Sequence, residues 1–412
     1  MSVYESICRF KALRTCRITF LPVAVFLSFL IFAGCSRTNS DTSSTAGNAD
    51  TIRIGVIAEL TGDIPSVGSS SRAAAEMAVN QVNNAGGLTV GGRKLKVELF
   101  VEDDAAKADQ AAATMQNLIN QKNVIAVVGP NSSTGAIPAA EIAESSKMLM
   151  ITPWSTNPKT TLDSRTNQHK RYVFRACYLD TFQGRILASF ARNDLKAQKA
   201  AVLFDVAAEA LKGQAEVFKD SFELKNGRMA GYEIYTTGDR DFSTQLTKIK
   251  SKAPDIIFLP AYYGDVPLAV QQAHKLGLNV PFLGSDAWAS SDLLALCGKD
   301  CEGFYFTAHY SPDSAAAKSK EFVDKFKALN NGKVPDDVAA LTYDAFGLLL
   351  DAIGRAGKTD TESVRNALAN TTGFAGVTGN MKFVEGSGDP IKGAVILRIK
   401  DGKFKWFANA NP

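Results

Sequence analysis

Short, β-branched apolar runs alternate with amphipathic helical patterns along most of the chain, and this alternation constrains the fold more than any other feature. Runs that are apolar on both faces predict strands buried on both sides, so the intervening helices must cover the sheet. We therefore expect an α/β fold built on parallel sheets. The first series consists of "IRIGVIAEL", "SRAAAEMAVNQVNNAGG", "KLKVELFVEDD", "AKADQAAATMQNLINQ", "VIAVVGP", "PAAEIAESSK" and "MLMITP".

A second series with the same alternation predicts a second Rossmann-like lobe. After "EGFYFTAHY" three helical patterns follow one another, and the chain closes with "GNMKFV" and "GAVILRIKDGKFKWF", two strands around a turn. Roughly 360 folded residues suit two domains better than one. The second series consists of "KAAVLFD", "EALKGQAEVFKDSFELK", "RMAGYEIYTTG", "FSTQLTKIKSKA", "DIIFLPAYY" and "VPLAVQQAHKLGL".

The N-terminal segment has the charge layout of a signal peptide. Four basic residues precede a short apolar run from Ile18 to Ala33. Gly34 and Cys35 follow it, in a pattern that resembles a bacterial lipobox. Residues 1–34 are therefore expected to be a lipoprotein signal peptide, with lipid carried on Cys35. The alternative is an ordinary N-terminal membrane anchor with a chance cysteine. Residues 35–50 are rich in Ser, Thr, Asn and Gly and predict a flexible tether that holds the folded part outside the cytoplasm.

The charge balance argues against nucleic acid as a partner. Without the predicted signal the chain has 42 basic and 41 acidic side chains. Binding of nucleic acid requires a strongly basic face, which such a balance does not favour.

The cysteines agree with export from the cytoplasm. Cys297 and Cys301 lie close enough in "LLALCGKDCEGF" to form a small disulfide in an oxidising compartment. A metal site is the weaker interpretation, because two cysteines without a nearby histidine supply at most half of the ligands. Cys177 is expected to be a buried free thiol, and no metal is expected.

Common enzyme motifs are missing from the sequence. There is no G-x-S-x-G elbow, and the three histidines, of which His309 alone is a candidate for a cleft, do not come with a nucleophile. The turn "GPNSSTG" lacks the lysine of a phosphate-binding loop, and no G-x-G-x-x-G follows the first strand. The sequence therefore predicts no catalytic residue and no cofactor.

Two turns rich in hydroxyl groups follow neighbouring strand patterns. Residues 131–134 follow "VIAVVG", and Ser155 and Thr156 follow "KMLMITP". Ligands of open α/β sheets bind beyond the carboxyl ends of strands, where helix N-termini offer free N–H groups. Phosphate, a scissile bond and a carboxylate are all candidates, and a carboxylate suits these turns best. The alternative is that both turns only cap helices.

Nine segments in order resemble the branched-chain amino-acid-binding proteins of ABC uptake systems, which have the type I periplasmic-binding fold. The resemblance covers nearly all of the chain after the predicted signal. The segments are "IRIGVIAELTGDIPSVG", "VNNAGGLTVGGRKLKVELFVEDD", "VVGPNSSTGAIPAA", "MLMITPWSTNP", "FRACYLDTFQG", "DFSTQL", "DIIFLPAYY", "GLNVPFLGSD" and "LTYDAFGLLLDAI".

The resemblance implies a binding site for a free amino acid. The carboxylate-binding serine of the family corresponds to Ser133, and its second turn corresponds to Trp154 and Thr156. From the second lobe, Tyr262 would contact the ligand and Asp286 would pair with its ammonium group. A ligand held by both turns and by Asp286 would close the cleft.

Four positions depart from the family pattern and imply a reshaped side-chain pocket. Val67 and Ala210 stand where aromatic residues are usual, while Trp154 stands where a small residue is common. Trp288 lies two residues after Asp286. We therefore expect an amino acid or close relative without assigning its side chain. The alternative for Tyr262 and Trp288 is packing in the core.

These observations predict a monomeric, lipid-anchored receptor that captures an amino acid and delivers it to an ABC permease. A sensor that signals to a partner receptor and a regulatory lipoprotein that binds another envelope protein remain alternatives. Three hinge crossings are expected near residues 177–180, 307–310 and 388–392. The predicted lobes are 51–177 with 310–388 for the first, and 178–309 with 389–412 for the second.

Overall fold

The computed structural model describes residues 51–314 and 316–411 of the chain. The predicted signal peptide, Cys35 and the tether lie outside these residues. The first six strands form one sheet in the order β2-β3-β1-β4-β5-β6, in which β2 alone runs antiparallel to its neighbour. These strands are β1 Thr51–Ala58, β2 Leu88–Val90, β3 Arg93–Asp103, β4 Ala126–Val128, β5 Leu149–Thr152 and β6 Val173–Arg175.

Three helices follow strands of this sheet and cover its two faces. They are α1 Pro65–Asn84, α2 Ala108–Asn120 and α3 Ser133–Ser145. Proline begins α1, where its missing N–H costs nothing. Gly86 and Gly87, predicted to stop this helix, both adopt positive φ angles just beyond its end, a conformation that suits glycine. One face of the sheet packs with α1 and the other with α2 and α3.

The next strands and helices repeat this architecture in a second sheet. Strands β9 and β10 are buried along their whole length, which explains their continuous apolar sequence. The strands are β7 Lys199–Asp205, β8 Arg228–Tyr235, β9 Ile256–Phe258, β10 Phe282–Gly284 and β11 Tyr305–Ala308. The helices are α4 Asp180–Asn193, α5 Glu209–Leu224, α6 Ser243–Ser251, α7 Val266–Lys275 and α8 Ser291–Cys297.

Three helices and a small sheet then pack beside the first sheet. The helices are α9 Ala317–Leu329, α10 Asp337–Ala356 and α11 Thr361–Ala369, and α10 packs against α1. Asp336 accepts a hydrogen bond from the backbone of Ala339, while Gly357 ends α10 in the left-handed conformation. Strands β12 Phe374–Gly376, β13 Gly379–Phe383 and β14 Pro390–Ile391 form the small antiparallel sheet.

The last two strands return to the second sheet. Strands β15 Ala394–Lys400 and β16 Lys403–Ala410 form a hairpin that adds antiparallel to β11. The order of this sheet is β16-β15-β11-β10-β9-β7-β8. The chain thus passes between the part built on the first sheet and the part built on the second at three places: before α4, after β11 and before β15.

Side chains near these three passages contact one another. The rings of Tyr178 and His309 stack with centroids 3.7 Å apart. The ammonium group of Lys392 donates a hydrogen bond of 3.0 Å to the carbonyl of Ala176. The three passages are therefore joined by buried contacts.

The predicted α/β fold with two mainly parallel sheets is confirmed. Of the small sheet the sequence predicted only β13, as the strand in "GNMKFV"; it did not predict β12, β14 or the antiparallel strand β2, which have two or three residues each. Such strands are too short to give a periodic pattern of their own. Between residues 51 and 411, leaving out 315, no helix combines the length and apolar character needed to cross a membrane.

Candidate ligand-binding site

The candidate site lies where four strands end. The turns that follow β4 and β5 in the first sheet meet the turns that follow β9 and β10 in the second. Together with the first turns of α5 they enclose a narrow cavity of about 10 Å³. A volume of this size holds about one water molecule, so the two walls lie almost in contact in this arrangement and must separate before a solute can enter. The lining residues are Asn131, Ser132, Ser133, Trp154, Thr156, Ala210, Leu211, Gln214, Tyr262, Asp286 and Ala287.

Most residues predicted from the resemblance come together in this cavity. Ser133, Trp154 and Thr156 line it from the first sheet, and Ala210, Tyr262 and Asp286 line it from the second. Val67 is not among the lining residues. It is buried in α1 and packs in the hydrophobic core.

One wall of the cavity is rich in hydroxyl groups at the start of α3. The hydroxyl oxygens of Ser133 and Ser155 are 2.9 Å apart, and that of Ser155 is 2.6 Å from the hydroxyl of Thr160. Ser132 caps the helix by accepting a hydrogen bond from the backbone of Gly135. A helix N-terminus with adjacent hydroxyl groups can bind an anion.

A buried glutamate holds this wall in place. Glu59, at the end of β1, accepts hydrogen bonds from the backbone of Asn131 at 2.9 Å, from its carboxamide at 2.8 Å and from the backbone of Ser132 at 2.7 Å. Burial raises the pKa of Glu59 above its ordinary value. The three N–H donors favour its ionised form and so oppose this effect.

The opposite wall contains the buried carboxylate of Asp286. It accepts a hydrogen bond of 3.2 Å from Gln214, and its other oxygen lies 3.1 Å from Nε2 of His309. Burial raises the pKa of Asp286 to about 7 and lowers the pKa of His309 well below its ordinary value. A neutral imidazole does not balance the charge. Within the described residues no lysine or arginine forms an ion pair with Asp286. This carboxylate is therefore suited to a cationic group of a ligand.

Aromatic and small apolar residues complete the cavity. The rings of Trp154 and Tyr262 approach from the two sheets, with centroids 6.2 Å apart. Trp288 does not line the cavity: it is fully buried, and its indole N–H donates to the carbonyl of Leu259 at 2.9 Å. For Trp288, packing in the core is therefore the correct interpretation.

Contacts between residues on either side of the cavity close its rim. The backbone of Ser66 lies 3.4 Å from the hydroxyl of Tyr263, and its side chain donates to Asp292. At another edge, Lys159 forms an ion pair of 3.0 Å with Glu209. The two walls are therefore held together in a closed arrangement.

Several residues of the site were not predicted from the sequence. Gln214 and Leu211 lie on α5 beside Ala210, and Gln214 is four residues further along, on the same helical face. That spacing was the available signal for Gln214. Glu59 stands at the carboxyl end of a buried strand, which is also a signal for a site residue.

None of the cysteines in the described residues lines the cavity. Cys297 and Cys301 form a disulfide with Cα atoms 5.7 Å apart, and Cys177 is a buried free thiol. Burial raises the pKa of the Cys177 thiol to about 12, so it is protonated and unreactive. In the part of the chain that the structure describes, no group of His, Cys, Asp or Glu side chains could hold a metal ion.

Comparison with known proteins agrees with this geometry. A curated relative, the leucine-, isoleucine-, valine-, threonine-, and alanine-binding protein of Pseudomonas aeruginosa, is 32% identical over 338 residues, which cover 82% of this chain and 87% of the relative. The leucine-binding protein LivK of Thermotoga maritima has a solved structure with 33% identity and a TM-score of 0.81. The match covers 88% of this chain and 99% of LivK.

A second solved structure is the branched-chain amino acid transporter substrate-binding protein LivJ of Streptococcus pneumoniae in complex with isoleucine. It is 30% identical with a TM-score of 0.80, and the match covers 88% of this chain and all of LivJ. The family model for periplasmic binding proteins matches residues 51–403. The chain therefore belongs to the periplasmic binding protein family, among the branched-chain amino-acid-binding components of ABC transporters.

Proposed function

We propose that this protein captures a free amino acid in the cavity between its two sheets and delivers it to an ABC importer. The observation that carries the proposal is the buried carboxylate of Asp286, which has no lysine or arginine partner among the described residues and lines the same cavity as a hydroxyl-rich helix N-terminus. An α-amino acid has the matching pair of charges. Its carboxylate would bind at Ser133 and Thr156, and its ammonium group at Asp286.

The relatives support an amino acid as the ligand. One is described as binding leucine, isoleucine, valine, threonine and alanine, and another was solved with isoleucine. Capture and delivery need no chemical step, so the proposal includes no catalysis and no cofactor. Because the ligand contacts both walls only in the closed form, binding would favour closure.

The remaining parts of the proposal concern organisation and location. We place the first lobe at residues 51–177 and 310–388 and the second at 178–309 and 389–412. The protein would act as a monomer outside the cytoplasm, anchored through lipid on Cys35.

The alternative function is a sensing or regulatory envelope lipoprotein that acts through a protein partner. Neighbouring genes for a permease and an ATPase would favour transport, and a gene for a receptor or kinase would favour sensing.

A screen of amino acids tests the ligand class. The chain from Ser36 onward should be unfolded, stripped of bound solute, refolded and scanned by thermal shift against amino acids, their amides and short organic acids. A ligand at a hundred times its Kd stabilises a protein by about 2.7 kcal/mol, which is readily measured. We expect at least one amino acid to raise the Tm. If no amino acid does, this function is wrong.

Replacing Asp286 by Asn tests its role. The change keeps the shape of the side chain and removes the charge that would pair with the ammonium group. Since a hydrogen bond to a charged group contributes about 1.5–3 kcal/mol, affinity for the best amino acid should fall about ten- to a hundredfold by calorimetry. Asp241→Asn is the control, because Asp241 lies at the exposed surface near the start of α6. Equal loss in both variants would rule out the assigned role.

Affinity should also depend on pH. The pKa of Asp286 is raised from 3.8 to about 7, so below pH 7 the unliganded protein must lose a proton before the carboxylate can pair with an ammonium group. Affinity should therefore fall as the pH drops from 8 to 5.5, by up to about tenfold per pH unit. The stability of the unliganded protein should change with pH in the opposite direction. The stabilisation that protonated Asp286 contributes to the fold is complete below its ordinary pKa and is lost as the pH rises to about 7.

The same titration of Asp286→Asn provides the check. The variant has no carboxyl group at this position, so its affinity should change much less between pH 5.5 and 8. A wild-type affinity that is constant across this range would contradict the proposed pairing.

Replacing Cys35 tests the lipid anchor. Full-length protein should incorporate labelled fatty acid and sediment with membranes, whereas Cys35→Ser should lose the label. Cys16→Ser is the control, because Cys16 would be removed with the signal peptide. If Cys35→Ser keeps the label, lipid is not attached at Cys35.

A further inference from the structure

Three residues that line the cavity each have a buried polar atom without a hydrogen-bond partner within the described structure. These atoms are Oδ1 of Asn131, Nε1 of Trp154 and Oε1 of Gln214. The residues themselves are at most 7% exposed, so bulk water does not reach these atoms freely. Buried polar atoms in folded proteins normally have partners. The three atoms are therefore available for hydrogen bonds to a ligand in the cavity.

The orientation of the Asn131 carboxamide is fixed by its neighbour. Its nitrogen donates to the Glu59 carboxylate at 2.8 Å, and that carboxylate also accepts the backbone N–H groups of Asn131 and Ser132. A flipped carboxamide would set its oxygen against a carboxylate oxygen, which is repulsive. The oxygen of Asn131 therefore points away from Glu59 and is available as an acceptor.

Gln214 is oriented in the same way on the opposite wall. Its nitrogen donates to the Asp286 carboxylate at 3.2 Å, which leaves its oxygen without a partner. Because Gln214 lies beside Asp286, its oxygen adds a second acceptor for the ammonium group of an amino acid. This accounts for one of the three atoms without involving the side chain of the ligand.

Of the other two atoms, Nε1 of Trp154 is a donor and Oδ1 of Asn131 is an acceptor. The indole N–H of Trp154 can only donate, and the oriented oxygen of Asn131 can only accept. An aliphatic side chain would leave both groups buried and unpaired. A site built from polar groups discriminates strongly against analogues that cannot form its hydrogen bonds.

We propose that the ligand is an amino acid with a short, uncharged polar side chain that both donates and accepts hydrogen bonds, namely a hydroxyl or a carboxamide. This inference rests on the proposed function and narrows it. The side chain would donate to Oδ1 of Asn131 and accept from Nε1 of Trp154. Trp154 and Asn131 are then specificity-determining residues of the cavity.

Nearly isosteric pairs of amino acids test the inference directly. Threonine and valine have almost the same shape, as have asparagine and leucine, and each pair differs in hydrogen bonding. Calorimetry on the stripped and refolded protein should show that threonine or asparagine binds about tenfold or more tightly than its apolar partner. If valine and leucine bind as tightly or more tightly, the inference is overturned while the proposed function stands. If none of the natural amino acids binds, both are overturned.

The variant Trp154→Phe tests the assigned donor. The indole nitrogen has no partner in the structure, so the change removes one N–H group and keeps an aromatic ring. The preference for the polar member of a pair should fall at least about threefold. In Trp406→Phe, the control, it should stay unchanged, because the N–H of Trp406 donates to Asn409 outside the cavity. An unchanged preference in Trp154→Phe would overturn the role of Trp154.

Asn131→Leu is the second variant and tests the acceptor. It should raise the affinity for leucine relative to asparagine, so that leucine binds more tightly, which reverses the order of affinities in the wild-type protein. If the wild-type order persists in this variant, Asn131 does not determine specificity. The comparison of isosteric pairs in wild-type protein decides the inference even if a variant fails to fold.

Discussion

The burial of Asp286 without a cationic partner is the constraint on which the site depends. A carboxylate removed from water is costly unless it is paired, and among the described residues its hydrogen-bonding neighbours are the carboxamides of Gln183 and Gln214 and a neutral imidazole from His309. These groups can donate hydrogen bonds, but none supplies a positive charge. The rise of the pKa to about 7 is the direct consequence. A ligand that brings an ammonium group would remove this cost, so closure around such a ligand is favourable.

The Asp286 carboxylate also lies next to the three passages that connect the parts built on the two large sheets. His309 follows β11 at the second passage, stacks on Tyr178 at the first and contacts Asp286 through its ring nitrogen. Its backbone N–H donates to Asp337 at the start of α10, which packs beside the first sheet. Lys392 connects the third passage to the first. The site and the three passages therefore share contacts.

Features encoded by neighbouring residues could be predicted from the sequence, whereas features that depend on contacts distant in the chain could not. The buried strands were predictable because apolar runs such as β4 and β9 are continuous, and the turns that follow them lie at the carboxyl ends of strands. The same reasoning, joined with the resemblance, placed Ser133 and Asp286 in one cavity. The position of Glu59 at the end of a buried strand marks it as a candidate, but its partner Asn131 lies 72 residues away in the chain. Local sequence therefore does not show which groups Glu59 holds in place.

Aromatic residues were the hardest to assign from sequence. Trp154 and Trp288 both follow buried strands, yet Trp154 lines the cavity while Trp288 fills the space beside Gly284 in the core. At Gly284 a Cβ atom would lie 2.2 Å from the Trp288 ring, so the glycine is what admits the indole. Val67 was expected to reshape the pocket but packs in the core instead. Side-chain direction at a turn depends on the space that such neighbours leave.

The most direct test of this account is a crystal structure of the protein with the amino acid that binds most tightly. The account predicts the ligand carboxylate within about 3 Å of the Ser133 and Thr156 hydroxyl groups, and the ammonium group within about 3 Å of the Asp286 carboxylate. A ligand bound in the opposite orientation, or outside the cavity between the two sheets, would contradict it.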